Sequence, residues 1–124
     1  MAKILIVDDE KGICNILKLA LSSEGYEVFV AYNGKEALER LYTVTPDLMI
    51  LDIIMPEMNG YEVCSRVEKD QFFKELPIII LSSENDVKEK LDVFNPGTYT
   101  HIEKPFNLHE LIPKVKALIE SKKK

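Results

Sequence analysis

The sequence predicts an α/β fold: a single (βα)5 doubly wound domain whose five parallel strands are covered by helices on both faces. Three observations predict it. Ile4-Leu5-Ile6-Val7, Leu48-Met49-Ile50-Leu51 and Ile78-Ile79-Ile80-Leu81 are unbroken apolar runs, as strands buried on both faces are. The segments between them carry apolar residues at helical spacing. Ionisable and polar residues gather just past the runs, at Asp8, Asp9, Asp52 and Ser82, where open α/β sheets bind their ligands. Right-handed crossovers between parallel strands then place helices on both sides.

Each element has its own local signal. After Asp8-Asp9-Glu10, helix one carries Ile13, Cys14, Leu17, Ala20 and Leu21 on one stripe and meets Gly25, a natural stop. Glu27 to Ala31 is β-branched and aromatic, hence strand two. Asn33-Gly34 turns the chain into helix two, with Ala37, Leu38 and Leu41, and Pro46 closes that segment. Strand three carries Asp52 at its carboxyl end. Met55-Pro56 forces a loop, and Asn59-Gly60 opens helix three, which runs to about Asp70 with Val63, Cys64 and Val67 facing in. Strand four ends at Ser82-Ser83. Val87, Leu91 and Phe94 mark helix four, which Asn95-Pro96-Gly97 terminates. Tyr99 to Ile102 is a short strand five, followed by Glu103-Lys104-Pro105-Phe106. Asn107 with Glu110 three residues on is a capping-box variant for helix five, in which Pro113 costs one helical hydrogen bond. The domain is expected over residues 1–121, with 122–124 as a basic tail.

Composition narrows the function. The chain of 124 residues has a net charge of −5, which argues against direct contact with nucleic acid or an anionic membrane. No apolar run reaches the length of a membrane span, and Met1-Ala2-Lys3 leads straight into a strand rather than a signal peptide. Cys14 and Cys64 form no metal or redox spacing, so both read as reduced packing residues, and the cytoplasm is the expected compartment.

The chemistry lies at the carboxyl ends of four strands. If strands one and three are neighbours, about 4.8 Å apart, then Asp8, Asp9, Asp52 and Lys104 meet with a local charge of −2. Hard oxygen ligands with room for water suit Mg2+, with Mn2+ as a substitute. A metal beside a carboxylate, a lysine and a hydroxyl suits phosphoryl transfer, with Asp52 attacking in line and Ser82 donating a hydrogen bond to the product.

The pieces Ile-Leu-Ile-Val-Asp-Asp-Glu, Pro-Asp-Leu…Leu-Asp…Met-Pro…Asn-Gly and Lys-Pro-Phe, in that order from Lys3 to about Ser121, resemble a response-regulator receiver domain of two-component signalling, of the chemotaxis-receiver kind. The resemblance implies the flavodoxin-like strand order 2-1-3-4-5. It implies Asp52 as phosphoacceptor, and Asp8, Asp9, Asp52 and the Ile54 backbone carbonyl as the metal site, with Asp9 a direct ligand. Ser82, Lys104 and His101 become the phosphate-binding and switch residues, while Pro56, Gly60 and Pro105 shape the loops, the bond before Pro105 being cis. The donor would be a sensor histidine kinase or phosphotransfer protein. The face of helix four, strand five and helix five would meet an output domain or target protein, or a second copy once phosphorylated. Two positions depart from the family: His101 stands where Tyr or Phe is usual, and apolar Ile54 where a polar residue is frequent.

Other readings stand beside this one. An aspartyl-phosphate phosphatase would want a second Asp two residues after Asp52, where Ile54 sits. A flavodoxin-like cofactor carrier would want a Ser/Thr/Gly-rich loop after strand one, where Asp8-Asp9-Glu10 would repel phosphate. A receiver-like scaffold would not need the whole constellation. Among single residues, Glu10 reads as charge near a helix N-terminus, Ser82-Ser83 also makes a good helix start, and His101 also reads as a packing residue.

Overall fold

The computed structural model describes residues 1–53, 60–82 and 99–123. The expected loop residues Ile54 and Pro56 and the expected fourth helix lie outside them. Five strands, β1 (Lys3–Val7), β2 (Glu27–Ala31), β3 (Leu48–Asp52), β4 (Ile78–Ser82) and β5 (Tyr99–Glu103), form one all-parallel sheet in the order β2-β1-β3-β4-β5. Helices α1 (Lys11–Ser23), α2 (Gly34–Val44), α3 (Gly60–Lys69) and the C-terminal α4 (Leu108–Lys123) are described. The last is the fifth helix of the sequence pattern, and it extends through two of the three terminal lysines.

The unbroken apolar runs are explained by what covers each face. Leu5, Val7, Met49, Leu51, Ile78 and Ile80 pack on one side with Ala37, Leu41, Val63, Cys64 and Val67. Ile4, Ile6, Leu48, Ile50, Ile79 and Leu81 pack on the other with Cys14, Leu17, Leu21, Leu111, Val115 and Ile119. Alternate residues of one strand therefore enter different cores, and neither face can be polar.

The caps agree with the local sequence. Gly25, at φ 93°, closes α1 in a Schellman turn: its N–H reaches the Ser22 carbonyl at 3.0 Å and the Tyr26 N–H reaches Leu21 at 3.3 Å. At α2 the Asn33 side chain accepts the Glu36 N–H at 2.8 Å, and Glu36 reaches back to the Tyr32 N–H at 3.0 Å. At α4 the Asn107 side chain accepts from the His109 N–H at 2.8 Å, one position earlier than a capping box needs.

After α3 the chain turns on Asp70. Its carboxylate accepts the Phe72 and Phe73 N–H groups, at 2.7 and 3.2 Å, and the Tyr42 hydroxyl of α2. The bond to Tyr42 holds the Asp70 carboxyl below its usual 3.8 and pushes the Tyr42 hydroxyl up. A lowered carboxyl pKa contributes stability above the unfolded value, and that contribution is lost as pH falls through the folded value. Tyr42→Phe should therefore destabilise the fold at neutral pH, and its deficit should close as pH falls below 3.8. Urea midpoints of the two proteins across that range are the check; a deficit independent of pH would put the Tyr42 contribution in packing alone.

Candidate functional site

The sheet register brings the acidic residues together. β1 and β3 pair with Val7 opposite Leu51, so Asp8 and Asp52 leave the sheet side by side. Asp8 is held from two directions: its N–H donates to the Ala31 carbonyl at 3.1 Å, and its Oδ1 accepts the Glu10 N–H at 2.9 Å. The second bond is an Asx turn that leads into α1. Asp8 and Asp52 are buried, whereas Asp9 is exposed. One carboxylate oxygen from each of Asp8, Asp9 and Asp52 lies within 4.8 Å of the others.

Lys104 reaches this cluster from the far edge of the sheet. β5 pairs with β4, with Glu103 opposite Ser82, and delivers the next residue to the carboxyl edge. The Lys104 ammonium lies 3.2 Å from Asp8 Oδ2 and 3.4 Å from Asp52 Oδ1. Burial pulls its pKa down, but attraction and hydrogen bonding to Asp8 and Asp52 together carry it above the usual lysine value. One ammonium against three carboxylates leaves a local charge of −2, and closely placed like charges favour capture of a cation. The Lys104–Pro105 peptide bond is cis.

Gly60 supports Asp52 from behind. Its N–H donates to the Ile53 carbonyl at 2.8 Å, and a Cβ there would lie 2.7 Å from the Asp52 carbonyl oxygen. The first turn of α3 thus packs directly on the backbone of the Asp52 strand end. Ser82 ends β4, one residue past the Asp52–Leu81 register pair, and His101 lies half-buried on β5 opposite Ile80. Cys14 carries a role that the sequence did not signal. Its thiol donates to the Asp8 carbonyl at 3.3 Å, beneath the acidic pair. Burial, then the charges of Asp8 and Asp9, push the thiol up to about 11, so it stays protonated and a donor. Helical spacing identifies Cys14 as interior, but nothing in the spacing says which backbone oxygen it meets.

Fold and site together define a flavodoxin-like α/β domain with an acidic, lysine-paired cluster at the carboxyl edge of its sheet. The family model of the response regulator receiver domain matches residues 4–116, and the chain belongs to that family, whose members are signalling domains of two-component systems. Solved structures agree. The response regulator TrrA of Thermotoga maritima, in complex with Mg2+-BeF, is 40% identical with a TM-score of 0.83, over 95% of this chain and 99% of that one. The chemotaxis protein CheY4 of Vibrio cholerae is 33% identical with a TM-score of 0.85, over 95% and 98%. The receiver domain of the Francisella response regulator 1452 is 30% identical with a TM-score of 0.87, over 98% and 99%. Among the described residues, no helix is long and apolar enough to cross a membrane.

Proposed function

We propose that this receiver takes a phosphoryl group from a phosphohistidine of a sensor kinase or phosphotransfer protein onto Asp52. One observation carries the reading: a buried Asp52 carboxylate lies 3.4 Å from a lysine and within one cluster with Asp8 and Asp9. A carboxylate oxygen of Asp52 attacks phosphorus as the P–N bond to the donor histidine breaks, and the imidazole nitrogen leaves with the bonding pair. Lys104 stays charged through this step and turns from Asp52 to the phosphoryl oxygens. The buried walls of β1 and β3 hold the carboxylate in place.

The donor set of hard carboxylates fits Mg2+, or Mn2+ in its place, and the TrrA complex with Mg2+-BeF supports the same choice. Asp8, Asp9 and Asp52 would hold the ion, with the Ile54 carbonyl as a further proposed ligand. When bound, the ion supplies charge neutralisation for the incoming phosphate. Phosphorylated Asp52 would carry about one charge more than the free carboxylate. Ser82 and His101 are proposed to answer that charge, and the face bearing β5 and α4 to pass it to an output domain, a target protein or a second copy. A cytoplasmic location accompanies the reading, since the free thiols Cys14 and Cys64 suit a reducing compartment.

Incubation with acetyl phosphate and Mg2+ should add one phosphoryl group per chain by intact mass, and none with the metal chelated. A chain that stays unlabelled in Mg2+, both with acetyl phosphate and with phosphohistidine donors, would overturn the proposal. The metal also has its own test. Mg2+ should raise the melting temperature, following RT ln(1 + [L]/Kd), and Asp9→Ala should weaken that response more than Glu10→Ala does. Equal responses from the two variants would remove Asp9 from the ligand set.

A further inference from the structure

A second surface lies at the opposite end of the molecule. In each strand–helix unit the helix runs back against the strand, so the C-terminal turns of α2 and α3 sit at the amino edge of the sheet. Between them a groove of about 380 Å³ is lined by Leu38, Leu41, Tyr42 and Phe73, with Arg66 and Lys69 also bordering it. Its floor is fixed: Phe73 is buried and meets the Tyr42 ring edge-on at 5.3 Å. Tyr42 leaves its ring 62% exposed on the groove, an apolar surface open to solvent.

Charge tells what would cover it. Asp70 also lines the groove, but its carboxylate is taken up by the Tyr42 hydroxyl and the Phe72 and Phe73 N–H groups, and Arg66 and Lys69 outnumber it there. Among the described residues, exposed Arg66 and Lys69 have no ion-pair partner. In a chain of net charge −5, two cations without an ion-pair partner among the described residues thus stand beside an apolar slot. We propose that this groove docks an acidic amphipathic helix of a partner protein, its apolar stripe between α2 and α3 and its carboxylates on Arg66 and Lys69. A slot between two helices suits a helix-in-groove contact. Opposite charge on the rim supplies orientation and choice of partner. Because the groove is at the far edge from Asp52, a partner there leaves the phosphoryl donor's approach open, and the inference does not depend on the Asp52 assignment.

The test is a nitrogen-15 NMR titration of the full chain with two synthetic helical peptides. Both carry one Leu/Phe stripe, flanked by Glu in the first and by Lys in the second. The Glu peptide should shift the amides of residues 38–42 and 66–73 and bind at least about tenfold tighter than the Lys peptide. Arg66→Glu combined with Lys69→Glu should reverse that preference, and Arg66→Gln with Lys69→Gln should abolish it. These side chains are exposed, so the remaining spectrum reports an intact fold. Equal binding of the two peptides, shifts centred elsewhere, or shifts of the same residues on raising the concentration of protein alone would each overturn the proposal, the last because a second copy would then be the occupant.

Discussion

Asp52→Asn should neither bind beryllofluoride nor take a phosphoryl group from acetyl phosphate, under conditions where the native chain takes one. Asparagine preserves the shape of the side chain, but its amide is no nucleophile, and the substitution removes one of the three clustered carboxylates. The rate of labelling should fall on the order of 10⁴-fold or more, as when a covalent nucleophile is removed elsewhere. Stability should move the other way. In metal-free buffer the three carboxylates repel one another, and the neutral amide would relieve part of that repulsion. Lys104 would keep its 3.2 Å contact with Asp8. The variant should therefore unfold at a urea concentration no lower than the native chain, and Mg2+ should stabilise it less. Loss of labelling in a protein at least as stable as the parent separates chemistry from folding. Labelling of the variant as complete as that of the native chain would mean that another residue is the acceptor.

The same residues show how far sequence reaches. Apolar runs at Ile4, Leu48 and Ile78 identify buried strands because both faces of a parallel sheet need apolar cover, and that requirement is local enough to read. Polar residues just past the runs mark the carboxyl edge for the same reason. Strand order is not local: nothing within β1 says that β3 rather than β4 lies beside it, and the order came from family resemblance. Within Asp8-Asp9 the spacing does not reveal which carboxylate is interior. The structure buries Asp8, through its bonds to Ala31 and Glu10, and leaves Asp9 exposed. The bond from Cys14 to Asp8 and the meeting of Tyr42, Phe73 and Asp70 join segments from different elements. Periodicity within one element does not name a partner on another.

Among Gly12, Gly25 and Gly60, Gly60 is the one where an added methyl group meets the closest neighbours. The sequence marks it as a turn residue, but the structure gives a different reason. It is the first residue of α3, and an added Cβ would lie 2.7 Å from both the Asp52 carbonyl oxygen and the Ile53 Cα, with Ile53 Cδ1 at 2.8 Å. Two of these three atoms are backbone of the strand end, so no side-chain rotation relieves the overlap. Gly60→Ala must move α3 away from β3 and stretch the 2.8 Å bond from its N–H to the Ile53 carbonyl. Alanine's better helix propensity offers about 1 kcal/mol in the opposite direction. Overpacking costs roughly 1–3 kcal/mol and sometimes more, and loss of the hydrogen bond adds about 1 kcal/mol. The expected net destabilisation is about 2 kcal/mol, read from urea unfolding. Gly12, inside α1 with nothing within 4 Å of an added Cβ, is the internal control. There the propensity gain stands alone, and Gly12→Ala should stabilise by up to about 1 kcal/mol. The displacement at residue 60 also acts on the strand end that carries Asp52, so Gly60→Ala should slow labelling by acetyl phosphate while Gly12→Ala leaves it unchanged. A Gly60→Ala protein as stable as the parent would show that β3 and α3 separate without cost, and Gly60 would then be no more than the turn residue its sequence context suggests.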